Sequence, residues 1–110
     1  MVKIVTDSVS DLPRDYIEKY DIKVMNLNII FGEDVYKDRV GISANEVFER
    51  IKNNNEFPKT SQVTSFEFID IFDELTKDSD DVLAILMSSK MSGTYNSAII
   101  AKNELSDRKI

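Results

Sequence analysis

Between Ser88 and Thr94 the segment SSKMSGT places Ser88, Ser89, Ser92, Gly93 and Thr94 within seven positions, directly after an apolar run and directly before a helical pattern. A connection that only reverses the chain has no need of so many hydroxyls. At a helix N-terminus the first amides lack intrahelical partners and carry partial positive charge. Hydroxyls that donate hydrogen bonds, and a glycine that admits close approach to the backbone, would suit a carboxylate or a phosphate there. The plainer reading is that Ser92 caps its helix. A second polar cluster, Thr60 and Ser61 in PKTSQ, offers further donors ahead of another helix, although Ser and Thr are common in such loops. A third, Thr6-Asp7-Ser8, follows the first strand-like run. Asp7 could be a nucleophile or metal ligand of a small-molecule phosphatase or phosphotransfer enzyme. The dehalogenase-type pattern wants a second Asp two positions on, where Val9 stands, so a structural Asp7 accepting loop amides fits better.

The elements that would carry these clusters alternate. VKIVT reads as a buried first strand, and SDLPRDYIEKY as a helix with Ser10 or Asp11 as cap, Pro13 in the first turn and Tyr16, Ile17 and Tyr20 on one face. Asp21 to Phe31 reads as a second strand, and GEDVYKDRVG as a hairpin or extended excursion between Gly32 and Gly41. Ser43 with Glu46 and Thr64 with Glu67 form capping boxes. The first opens a helix with Val47, Phe48 and Ile51 on one face, frayed at Asn53-Asn54-Asn55. The second opens one lined by Phe68, Ile69, Phe72 and Leu75, with KTSQV as a polar loop before it. Asp81 to Ser88 reads as a strand buried on both faces. A last helix begins near Ser92 and presents Tyr95, Ala98, Ile99, Lys102 and Leu105. This order predicts an α/β fold, a mostly parallel sheet flanked by helices with right-handed crossovers. In such a sheet ligands bind beyond the carboxyl ends of the strands, where all three polar clusters are expected to fall.

The chain's 110 residues suffice for one domain, and SDRKI near the end resembles the start of another strand, as if the domain belonged to a longer protein. With 14 Lys and Arg against 20 Asp and Glu the formal charge is −6, and the basic residues are scattered, which argues against nucleic acid. The chain has no cysteine and no histidine, which removes disulfides, thiolate metal sites, cysteine nucleophiles and Ser-His-Asp catalysis. Three glycines cannot supply a dinucleotide or Walker-type phosphate loop. No apolar run has membrane-spanning length and none resembles a secretory leader, so a cytoplasmic location is expected.

Three segments, KIVTDSVSDLP, FPKTSQVTSFEF and ILMSSKMSGTYNSA, in order and spacing resemble the DegV family across essentially the whole chain. The family's members are bacterial fatty-acid-binding proteins, among them the FakB subunits of fatty acid kinase. The resemblance implies a DegV-type amino-terminal domain over residues 1–110, part of a two-domain chain whose carboxyl-terminal domain supplies a histidine and an arginine near the lipid head. It implies a non-enzymatic carrier of a long-chain fatty acid, without a cofactor, that presents the acid to the ATP-binding kinase subunit as partner. Carried onto this sequence, the carboxylate contacts are Thr60, Ser61 and Ser92, with Gly93 and Thr94 adjacent, while Asp7 and Ser8 shape the site. Val63 stands where many members have proline.

Overall fold

The computed structural model describes residues 1–110. In chain order it contains β1 (Val2–Asp7), a 3₁₀ turn over Ser8–Ser10, α1 (Arg14–Lys19), β2 (Lys23–Met25), β3 (Asn28–Phe31), β4 (Asp34–Lys37), α2 (Ala44–Asn54), β5 (Lys59–Ser61), α3 (Ser65–Thr76), β6 (Asp81–Ile85) and α4 (Thr94–Glu104). The α/β fold with a flanked parallel sheet is found: β2, β1 and β6 form a parallel sheet in that order. A feature the sequence pattern did not convey is a second three-stranded sheet, order β4-β3-β5, which is wholly antiparallel.

Side-chain alternation decides what the parallel sheet buries. Val5 and Val82 face α3 and α4 and join Phe68, Ile71, Phe72, Ala98 and Ala101 in the main core. The opposite face carries Ile4 beside Leu83 and Thr6 beside Ile85. Leu83 and Ile85 are 51% and 58% exposed, so β6 is buried on one face rather than on both. It is an edge strand, and an unbroken apolar run records composition without saying whether each face is covered. β1 is likewise buried only in its second half, from Val5 to Asp7.

The expected strand over 21–31 is two strands in different sheets. The chain crosses over at Asn26-Leu27, where Asn26 Nδ2 donates to the Asp38 carbonyl (2.8 Å) and Leu27 N–H donates to Ser8 Oγ (3.1 Å). β3 and β4 form the expected hairpin, with Gly32 at φ +60 in its two-residue turn. Against it packs α2 through Val47 and Ile51, making a small second core with Ile29, Phe31, Tyr36 and Ile42, while Phe48 faces solvent. KTSQ is also not a loop at its start: β5 pairs with β3.

Both capping boxes are present with their reciprocal bonds. α1 is shorter than its pattern: Pro13 is its N-cap without a side-chain bond, Asp11 takes a left-handed conformation, and Tyr16 and Tyr20 are exposed. α4 buries Thr94, Ser97, Ala98 and Ala101, a stripe of small residues against α3, leaving Tyr95 and Ile99 at the rim. Small side chains let two helix backbones approach closely, which outweighs the larger apolar residues one position away. No helix is long and apolar enough to cross a membrane.

Candidate functional site

The carboxyl ends of β1 and β6 are tied by one carboxylate. Asp7 is 1% exposed; its Oδ1 accepts the Val9 amide (3.1 Å) and its Oδ2 accepts the Met87 amide (2.7 Å). With both oxygens engaged, Asp7 anchors the turn that leaves β6, which is the structural reading of this residue and not that of a nucleophile. Ser8, also buried, uses Oγ to hold the Leu27 amide at the crossover between sheets. No group of three or more acidic residues is disposed to hold a metal.

The turn from β6 to α4 is built by its own serines. The Ser88 carbonyl accepts the amides of Met91 (2.9 Å) and Ser92 (3.2 Å), and Ser88 Oγ accepts that of Lys90 (3.2 Å). Ser92 Oγ accepts the Thr94 amide at 3.2 Å and donates to Thr94 Oγ1 at 3.1 Å. Thr94 has no exposed surface, and its Oγ1 accepts the Val63 amide (3.3 Å). That hydroxyl therefore braces the segment after β5 from inside, while Ser92 stays at the surface. The amides of Gly93, Tyr95 and Asn96 have no acceptor within the protein, as the first turn of a helix dictates.

β5 meets this turn end-on. A Cβ built on Gly93 would lie 1.8 Å from Gln62 Oε1, so the Gln62 side chain occupies the space that glycine leaves. Gln62 Nε2 reaches Ser97 Oγ at 3.4 Å. Ser61 Oγ accepts a bond from Asn28 Nδ2 (3.0 Å) across the β3–β5 pair. Thr60 pairs with Ile29 and Ser61 with Asn28, so the two hydroxyls point to opposite faces of their strand. The sequence clusters around Thr60-Ser61 and Ser92-Gly93-Thr94 are thus brought together at their ends, through Gln62 and Val63, but Thr60 and Ser61 do not act as a parallel pair. Asn28 and Ser97 went unrecognised in sequence, because an Asn in a strand and a Ser in a helix carry no signal until their partners are known.

One ion pair flanks the junction. Lys37 Nζ pairs with Glu67 Oε1 at 2.7 Å, joining the hairpin to the start of α3. Burial opposes ionisation of Glu67, yet the bonds from Lys37 and from the Thr64 amide prevail and hold its pKa below the ordinary glutamate range. Two hollows lie nearby. One of about 340 Å³ runs between β2 and α3, lined by Val24, Met25, Lys37, Val63, Glu67 and Ile71 among others. The other, about 220 Å³ and almost entirely apolar, lies between β6 and α4 and includes Phe72, Val82, Ala84, Leu86, Tyr95 and Ala98. The apolar cleft falls short of the ~300–1,000 Å³ of ordinary ligand pockets.

The DegV family model matches residues 1–110. A DegV domain-containing protein of Clostridium perfringens is 44% identical over 104 residues, which cover 94% of this chain and 37% of that protein. Among solved structures, a fatty acid (stearic acid)-binding protein from Eubacterium ventriosum superposes with a TM-score of 0.91 at 34% identity, covering all of this chain and 40% of that one. A DegV family protein from Thermus thermophilus, solved for its fatty acid binding, gives 0.89 at 33% identity over 99% of this chain and 39% of its own. The chain thus spans about two fifths of the length of the relatives it matches.

Proposed function

The chain belongs to the DegV family, and we propose that it is the amino-terminal domain of a carrier that receives the carboxylate of a long-chain fatty acid where β5 meets α4. The observation that carries this reading is the seating of Gln62 on Gly93, with Val63 bonded to Thr94, which makes one surface of two hydroxyl-bearing segments. Ser61 donates from its hydroxyl, Ser92 donates by turning its proton from Thr94 Oγ1 to the ligand, the amide of Gly93 adds a backbone donor, and Thr60 borders the site from the other face of β5. Thr94 braces the junction, and Asp7 and Ser8 shape it. An ionised carboxylate taken from water without such donors would be far too costly to bury. The acyl chain gains about 0.8 kcal/mol for each buried methylene, and the small cleft beside β6 leaves most of that lining to the part of the protein that longer relatives possess.

No cofactor enters this reading. A head group held by hydroxyls and amides, without a lysine locking it in an ion pair, remains open to a second protein. That partner would be an ATP-dependent fatty acid kinase, which moves the γ-phosphoryl group onto a carboxylate oxygen to give acyl phosphate and ADP. The carrier presents the acid and performs no transfer. Native mass spectrometry of the full-length protein should find co-purifying or added long-chain acid at unit stoichiometry; a protein that takes up none would end the proposal. Ser92→Ala should weaken binding of the acid by about tenfold, the equivalent of one hydrogen bond to a charged group. Binding of the matching neutral alcohol should fall much less.

A further inference from the structure

Three strands of the antiparallel sheet place Lys37, Asn28 and Ser61 in one row on one face, since Asn28 pairs with Lys37 on one side and with Ser61 on the other. The two outer members differ in what they do. Lys37 commits its ammonium to Glu67 at 2.7 Å, so the pair is neutral as a unit. Ser61 commits its oxygen: Asn28 Nδ2 donates to Oγ at 3.0 Å, and the Ser61 hydroxyl donates to no group of the protein. A serine hydroxyl has a single proton and two lone pairs. Once an amide N–H occupies one lone pair and fixes the rotamer, the proton is directed away from Asn28 and the hydroxyl faces its ligand as a donor.

We propose that Asn28 is a positioning residue that polarises Ser61 into a donor, so that the site selects an acceptor-only, ionised carboxylate over head groups that must themselves donate. The inference rests on the fatty-acid reading above and adds a specificity device to it. Ser92 differs: its Oγ accepts the Thr94 amide and donates its one proton to Thr94 Oγ1 at 3.1 Å. Ser61 is thus the hydroxyl whose oxygen already accepts an N–H group and whose proton is left for the ligand. A fatty alcohol or a primary amide can also accept, but it carries no charge to strengthen the bond. Discrimination then comes from the direction of the Ser61 proton and needs no cation.

Asn28→Asp tests the idea with almost no change in shape. A carboxylate at 28 accepts the Ser61 proton, turns the donor inward and adds a negative charge beside the head group. In the full-length protein, titration with a long-chain acid and with the alcohol of the same length gives the ratio of the two affinities. Asn28→Asp should lower that ratio by about tenfold or more, the worth of a charge-assisted hydrogen bond, with alcohol affinity within about twofold of wild type. Asn28→Ala, which leaves the proton free to rotate, should fall between. A role confined to sheet stability would weaken acid and alcohol alike and would lower the melting temperature with them, and that result overturns the inference. If the wild type binds no acid, the carrier reading itself fails. If Ser61→Ala lowers the ratio and Asn28→Asp does not, only the role of Asn28 is lost.

Discussion

At Gly93 a single added methyl group should separate folding from the proposed binding. Its φ of −76 suits any residue, so alanine brings no backbone strain. The added Cβ would instead fall 1.8 Å from Gln62 Oε1 and 2.6 Å from its Cδ. Gln62 is an exposed side chain whose end swings aside at little cost. Gly93→Ala should therefore leave thermal stability nearly unchanged while Gln62 leaves Ser97 and the junction of β5 with α4 loosens. Fatty-acid titration beside a melting curve checks this; equal binding by variant and wild type would remove the junction from the head-group site. Thr94→Val inverts the pattern. Its nearly isosteric side chain offers the buried Val63 amide no acceptor, and stability should drop by about 1–3 kcal/mol. That Gly93 admits a close approach was legible from SGT at a helix start. What approaches was not, because Gln62 stands far upstream and no local pattern pairs the two positions.

Among elements, those with local causes were legible and those with remote causes were not. The boxes Ser43/Glu46 and Thr64/Glu67 each close within four residues, and both helices begin where they say. β5 is three residues long and exists as a strand because β3 lies beside it. The segment KTS alone holds no sign of that pairing. The helical pattern of α4 mixes Tyr95 and Ile99 with Ala98, whereas the contact with α3 selects the small residues. The same comparison yields a prediction at α3, where Glu67 serves the cap and Lys37 together. Its pKa is lowered in the folded protein, so its contribution to stability is fully present above the unfolded glutamate range and is lost as pH falls through the lowered folded value. Urea midpoints taken from neutral pH down into the acid limb should decline for wild type. They should decline less for Glu67→Gln, which starts lower because the Lys37 pair and the reciprocal cap bond are weakened. Parallel curves would assign the acid sensitivity to other carboxylates.

Over the whole molecule the two sheets make unequal partners. The radius of gyration, 15.2 Å, exceeds the about 13 Å expected of a compact chain of this length, and the extents are 49 × 29 × 21 Å. The elongation reflects two cores, one of ten buried residues around Val5, Phe68 and Phe72 and one of only three, Ile29, Phe31 and Ile42. The smaller relies on Arg50, which packs over the Phe31 ring at 4.3 Å and bonds Glu56, Asp34 and Tyr36, holding α2 on the hairpin. Few buried apolar contacts mean local opening below the global unfolding free energy. Amides of β3, β4 and α2 should thus exchange with deuterium sooner than those of β1 and β6. The proposed head-group site straddles this difference, with Ser61 on the weaker module and Ser92 on the stronger. A ligand that bonds both must bind the docked arrangement and shift the opening equilibrium toward it. Added long-chain acid should therefore slow exchange at β3 and β5 in the full-length protein far more than at β1. Protection confined to α4, with β5 unaffected, would mean that the acid is held from one side only and that Ser61 plays no part in receiving it.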